Sequence, residues 1–134
     1  MLYQRLIYRS RVVANENLDK DMSRILDVSR RLNRARDITG ALICFDDSYV
    51  QVLEGPPAQI EGLMAVIERD PRHCDIRVLG RWAASHRLFG GWSMASAPAF
   101  EIAVETRQNF VGSRCGLEML KVMTDLTRRL PVFI

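Results

Sequence analysis

A transition metal would find little to hold it in this chain, which carries two histidines and three cysteines in 134 residues. His73 and His86 stand at no ligand spacing from a cysteine or carboxylate. Cys44, Cys74 and Cys115 are scattered and odd in number, which suits free thiols in a reducing compartment. Long apolar runs are absent too, with none approaching the roughly twenty residues that span a bilayer. The opening M-L-Y-Q-R-L-I-Y-R-S lacks the apolar segment of a signal peptide and reads as a strand. A cytoplasmic protein with no membrane contact is therefore expected. Gly90-Gly91 is the sole glycine pair and it runs into Trp92, which excludes phosphate-loop and dinucleotide fingerprints. No nucleophile elbow is present, and Ser85-His86 or Asp70 with His73 are mere sequence neighbours. The chain is not expected to be an enzyme.

Charge of one sign is also scarce in excess, since 19 basic residues face 16 acidic ones for a net +3. Arg30, Arg31, Arg34 and Arg36 cluster at the end of a predicted helix. There they complement the helix dipole, and no nucleic-acid partner is expected. A hydrophobic fraction of 48% is ordinary for a globular domain, and the length suits one domain with a real core.

The residues that are present alternate between strand and helix periods. Leu2 to Ser10 reads as a strand with Leu6, Tyr8 and Ser10 on one face and Arg5, Ile7 and Arg9 on the other. Asn17 is a plausible helix N-cap. Leu18, Met22, Ile25, Leu26, Ser29 and Leu32 then follow helical spacing to about Ala35. Ile38 to Phe45 suits a central strand, Asp46-Asp47-Ser48 a tight turn, and Tyr49 to Glu54 the returning strand. Pro56-Pro57 opens a second helix whose apolar face is Ile60, Leu63, Met64 and Ile67, ended by Asp70-Pro71. Ile76 to Ala83 is a fourth strand, Leu88 to Gly91 a loop, and Trp92 to Met94 the start of a fifth strand. This βαββαββ order predicts an α+β, ferredoxin-like mixed sheet with two helices on one face.

Beyond Pro98 the character changes, and residues 98–134 are expected to be a helical extension to a domain at 1–97. Leu117, Leu120, Met123, Leu126 and Leu130 form an apolar stripe there. It would cover the open sheet face or pair with a second copy, and a homo-oligomer is expected on that ground.

One polar residue breaks the apolar alternation of the third strand. Tyr49, Gln51 and Leu53 share a face, opposite Val50, Val52 and Glu54. A buried amide at Gln51 needs partners, because an unsatisfied one costs about 1–3 kcal/mol. Tyr8 on the first strand, Asn33 near the end of the first helix, and Asp70 and Arg72 beyond the second can all reach the same space. Such a set of donors and acceptors without a nucleophile suits a flat heteroaromatic ring. The competing reading is that Tyr8 and Gln51 bond only to each other or to backbone.

Five stretches carry a resemblance: L-I-Y-R-S at 6–10, N-R-A-R-D-I-T-G-A-L at 33–42, V-Q-V-L-E-G at 50–55, D-P-R-H at 70–73 and R-L-F-G-G-W-S-M at 87–94. Together, in this order and spacing, they resemble the BLUF family of flavin-using blue-light sensors over roughly residues 1–97. The remainder looks like the helical extension of short, single-domain members. The resemblance implies a bound oxidised flavin, FAD with FMN as the alternative. It implies that Tyr8 is the photoactive tyrosine and Gln51 the switching glutamine. Tyr8 would give up an electron and a proton and then recover both. Gln51 would rotate or tautomerise, leaving changed hydrogen bonding and a red-shifted spectrum that decays in the dark.

By the same resemblance Asn33 holds the flavin's carbonyl and imide edge, and Asp70 with Arg72 lies near its pyrimidine end. Trp92 and Met94 change environment with signalling, and Ser10 supports the tyrosine. Leu32 and Val66 depart from the pattern, since many relatives carry a polar or histidine residue at the first and some a basic residue at the second. The implied output is a separate downstream signalling protein. Two other classes stand beside this one. A light-insensitive adaptor would keep the fold and act through its C-terminal helices. An acylphosphatase-like enzyme is disfavoured because Arg11 to Asn15 holds no glycine-rich anion nest.

Overall fold

The computed structural model describes residues 2–13, 30–45, 48–71, 73–90, 95–96 and 116–129. Its strands are β1 (Tyr3–Val12), β2 (Thr39–Phe45), β3 (Ser48–Gly55), β4 (His73–Ala84) and β5 (Ala95–Ser96). Its helices are α1 (30–35), α2 (Pro57–Glu68) and α3 (Gly116–Arg129). The sheet runs β4-β1-β3-β2-β5. The first four are antiparallel neighbours, and β5 adds in parallel beside β2. Because β3 is antiparallel to both β1 and β2, those two are parallel with β3 between them. The connection from β3 through α2 to β4 straddles β1 in the same way. Two interlocked split βαβ units of this kind make the ferredoxin-like fold that the element order predicts.

Local chemistry accounts for the element ends. Pro57 stands at the start of α2, where a missing N–H costs nothing, and Ile60, Leu63 and Met64 are its buried residues. The arginine cluster falls on the last turn of α1 and the residue after it, the negative end of the helix dipole. That helix stops in a Schellman arrangement. Ile38 N donates to Asn33 O at 2.8 Å and Asp37 N to Arg34 O at 3.4 Å. Asp37 takes the left-handed conformation at φ 57°. Arg87 Nη2 grips this residue twice, at 2.9 Å from its carbonyl and 3.0 Å from its carboxylate.

The sheet is covered on both faces. Leu6, Tyr8, Leu42, Tyr49 and Leu53 pack with Ile38 and with Ile60, Leu63 and Met64 of α2. On the opposite face Ile7, Ala41, Ile43, Val50 and Val52 pack with Phe89 and with Met119, Leu120 and Met123 of α3. Of the two roles expected for the apolar stripe, its described part takes the first and covers this sheet face. Leu120 and Met123 are buried, and among the stripe's described side chains only Leu117 is exposed. Leu126 and Leu130 lie outside the described side chains. The apolar argument for self-association is weaker by that amount.

The strand boundaries differ from expectation chiefly in length. β1 continues to Val12 and β4 starts at His73, because each pairs with the other across register shifts near Ile7/Tyr8 and Arg9/Arg11. Asn17 and the N-terminal part of the first helix fall outside the described residues. Cys74 is a free, exposed thiol. Among the described residues no helix is long and apolar enough to cross a membrane, and no group of three or more His, Cys, Asp or Glu could hold a metal ion.

Candidate functional site

Tyr8 and Gln51 face each other directly across the β1–β3 ladder, one register pair among eight. Opposed positions bring side chains on one face within contact distance. The Tyr8 hydroxyl donates to Gln51 Oε1 in a buried hydrogen bond. The competing sequence reading is therefore right that the two bond to each other. Both side chains are almost inaccessible, at 3% and 4%. On the far side of Gln51 stands Leu42 of β2, so the amide has a phenol on one flank and an apolar side chain on the other.

The phenol of Tyr8 is held well above its ordinary pKa of 10. Burial is the first cause, the Asp70 carboxylate the second and Tyr49 the third. A raised pKa means that the folded state keeps this proton when the unfolded chain would release it. The stabilisation is complete below pH 10 and declines as pH rises above it. Alkaline titration of the protein should show no ionisation of one tyrosine until the fold is lost. The Tyr8→Phe variant should show one such late-ionising tyrosine fewer. Phenolate absorbance followed alongside circular dichroism makes the check, and early ionisation of every tyrosine would contradict it.

Asn33 is delivered by the Schellman turn, since its own carbonyl accepts the N–H groups of Arg36 and Ile38 at 3.1 and 2.8 Å. Its side chain is 1% exposed. Asp70 follows α2, half-buried, and is close enough to Tyr8 for its charge to act on the phenol. Ser10 is buried one step along β1 on the Tyr8 face, opposite Tyr49. Of the departures, Leu32 is half-buried and Val66 is exposed. Arg72, Trp92 and Met94 lie outside the described residues. Tyr8, Gln51 and Asp70 are thus brought together, with Asn33 buried at the end of α1.

This set is chemically consistent with a flavin. Buried neutral amides at Asn33 and Gln51 offer both donors and acceptors, which is what the alternating carbonyl and imide edge of such a ring requires. A phenol that keeps its proton stands beside Gln51.

Sequence reading missed a second polar cluster, at the other end of the ladder and on the other sheet face. Glu54 is 1% exposed. Its Oε2 accepts from Arg5 Nε at 2.9 Å and from Leu88 N at 2.8 Å, and its Oε1 from Phe89 N at 2.7 Å. Arg87 lies across the same end, donating to Thr39 Oγ1 at 3.0 Å and stacking 4.5 Å from the Tyr3 ring centre. The signal was available: Glu54 is a charge at the end of an apolar strand face, as anomalous there as Gln51 on its own.

Comparison with known proteins agrees with this geometry. The family model described as sensors of blue-light using FAD matches residues 3–95. The blue light- and temperature-regulated antirepressor BluF of Escherichia coli (strain K12) is 32% identical over 104 residues, 78% of this chain and 25% of that protein. Photoactivated adenylate cyclase subunit beta of Euglena gracilis is 33% identical over 78 residues, 58% of this chain and 9% of that protein. The chain thus spans a quarter or less of the length of these relatives. Among solved structures, BlsA in its photo-activated state has a TM-score of 0.86 at 26% identity, covering 98% of this chain and 99% of that one. BlrB, a BLUF protein in its dark state, has 0.82 at 28%, covering 95% and 96%. Klebsiella pneumoniae BlrP1, solved with FMN and cyclic diGMP, has 0.71 at 28%, covering 96% of this chain and 36% of that one. The buried Tyr8–Gln51 pair, the sheet that opposes them and the match over residues 3–95 converge on one conclusion: the chain belongs to the BLUF family, the sensors of blue light using FAD.

Proposed function

We propose that this protein is a blue-light receptor whose light-responsive pair is Tyr8 and Gln51, and that it acts on a separate partner protein. The observation carrying the proposal is the buried hydrogen bond from the Tyr8 hydroxyl to Gln51 Oε1. A non-covalently bound oxidised flavin supplies the absorption of blue light and, once excited, a strong one-electron oxidant. Asn33 and Gln51 would hold its imide edge, with Asp70 and Arg72 towards the pyrimidine end. FAD is the proposed cofactor, supported by the family's description, and FMN its competitor.

The chain's own residues then set what light can change. Tyr8 keeps its proton firmly, because burial and the Asp70 charge both oppose the phenolate. A phenol that loses an electron becomes strongly acidic, and Gln51 Oε1 is the acceptor already in place. The Gln51 amide has a donor end and an acceptor end, so turning it through half a revolution exchanges what it offers its neighbours. Return of electron and proton to Tyr8 then leaves the covalent structure unchanged and the hydrogen-bond pattern altered. A buried amide must release its present hydrogen bonds before it can form others, and that cost separates its two orientations.

Residues 1–97 form the flavin-holding domain in this reading and 98–134 the packing and output element, with Trp92 and Met94, just ahead of β5 in the chain, as the signalling residues. Support for an output role comes from α3, which rests on the sheet face behind Tyr8 and Gln51. The cytoplasm is the proposed setting. Self-association is proposed through what α3 leaves exposed, such as Leu117. The test is direct. The purified protein should be yellow, and blue light should shift its flavin band slightly to the red, reversibly in the dark. A colourless protein that takes up neither FAD nor FMN overturns the proposal, and so does a flavin-loaded protein with no shift.

A further inference from the structure

We propose that Glu54 is a positioning residue that ties β3, the strand of Gln51, to helix α3 through the backbone of Leu88 and Phe89. The inference rests on the photoreceptor reading and adds to it a mechanical connection that runs through described residues alone.

Glu54 sits on the sheet face opposite Gln51, and its two oxygens gather donors from three separate segments. Arg5 Nε of β1 and the Leu88 amide meet Oε2 at 2.9 and 2.8 Å. The Phe89 amide meets Oε1 at 2.7 Å, with Thr39 Oγ1 of β2 further off at 3.4 Å. Arg5 extends the grip by donating from Nη2 to the His86 carbonyl at 2.9 Å. Arg87 adds a contact to the Glu54 carbonyl at 3.4 Å. The segment from His86 to Phe89 is therefore fastened to the end of β3 through side chain and backbone together.

What that fastening positions is the Phe89 ring. Phe89 is 1% exposed and packs in one cluster with Ile7, Val52, Met119, Leu120 and Met123. Ile7 and Val52 are the sequence neighbours of Tyr8 and Gln51 and point to the other face. Met119, Leu120 and Met123 are the buried side of α3. Helix and strand also meet tightly at Gly116, where an added Cβ would lie 2.9 Å from the Leu79 carbonyl oxygen and 3.0 Å from the Ile7 side chain. Phe89 thus shares one apolar cluster with the strands that bear the light-responsive pair and with the helix that covers them. A carboxylate is needed to hold it, because donors converge on both oxygens and an amide offers only one acceptor.

The test compares wild type with Glu54→Gln, both loaded with FAD, in the dark and under blue light, by flavin absorbance and hydrogen exchange resolved to short peptides. Glu54→Gln keeps the side chain's size and presents an N–H to one of the present donors. The expected result is a wild-type red shift, dark exchange at 88–89 faster by about tenfold or more, and loss of the light-dependent exchange change in α3. A Glu54→Gln protein that keeps the wild-type light response in α3 overturns the inference. Loss of the red shift with flavin still bound also overturns it, by placing Glu54 in the photochemistry. Should Glu54→Gln fail to fold, Phe89→Leu answers instead: it leaves Glu54 intact and should retain the red shift while losing the α3 response. An unchanged α3 response there overturns the inference. A wild type with no red shift overturns the photoreceptor reading and this inference with it. A normal wild-type shift with an unaffected variant overturns this inference alone.

Discussion

Tyr8→Phe should give a protein that still binds flavin and stays yellow but shows no reversible red shift under blue light. The substitution keeps the ring that packs among Leu6, Leu42, Leu53 and Met64, so the apolar volume is conserved and little else need move. It removes the hydroxyl that donates to Gln51 Oε1. Two consequences follow from that one atom. The buried amide loses its donor, which should lower stability by about 1–3 kcal/mol. The site also loses its oxidisable phenol and the proton that would travel with the electron, so the loss of the photocycle is total where the loss of stability is partial. Gln51→Leu should match it by the opposite route, keeping the phenol but removing the group with two orientations. Absorbance before and after illumination, with flavin content measured separately, decides the matter. A Tyr8→Phe protein that photocycles normally would show that the role assigned to Tyr8 is wrong.

The second large effect is expected from the close approach of two backbones. Gly40→Ala should fail to fold or lose about 3 kcal/mol or more of stability, a large share of the roughly 5–15 kcal/mol that holds a domain together. Gly40 pairs with Leu53 across the β2–β3 ladder. A Cβ built there would lie 2.0 Å from the Val52 carbonyl oxygen and 3.1 Å from its carbon. Both atoms are backbone, so neither can swing aside as a side chain might. Relief requires β2 and β3 to part, and that separation runs straight to the Leu42–Gln51 pair two residues along. Chemical denaturation of the variant, with flavin retention followed in parallel, gives the answer. A change within about 0.5 kcal/mol would mean that the strands have slack the geometry does not show.

Gly40 illustrates where sequence stops being legible. A single glycine in an apolar run is compatible with a central strand, and that much the pattern states. Its indispensability comes from a carbonyl twelve residues away whose approach no local pattern encodes. The fold itself was readable because its signals are local: period-two alternation in β1 and β3, a proline-started helix with Ile60, Leu63 and Met64 on one side, and turn residues between them. The face shared by Tyr8 and Gln51 was readable for the same reason, whereas their direct opposition depends on register, which appears only when strands pair. Glu54 and Arg87 were present in the quoted motifs, but their partners at Leu88, Phe89, Asp37 and Thr39 lie up to fifty residues away. The C-terminal stripe was legible as apolar, with cover of the open sheet face or pairing with a second copy left as its two roles, because periodicity shows that a helix has an apolar side but not what that side meets.

All eight residues of β3, from Ser48 to Gly55, are buried. For anyone wishing to retune this protein, that strand is a poor place to sow variation. Libraries spread across it will return mostly dead clones, whichever property is selected. Adjustable positions belong on its looser neighbours, such as Val66 on α2 and Val78 on β4, which are 43% and 47% exposed. There a new side chain can alter the surroundings of the site without first having to displace the core.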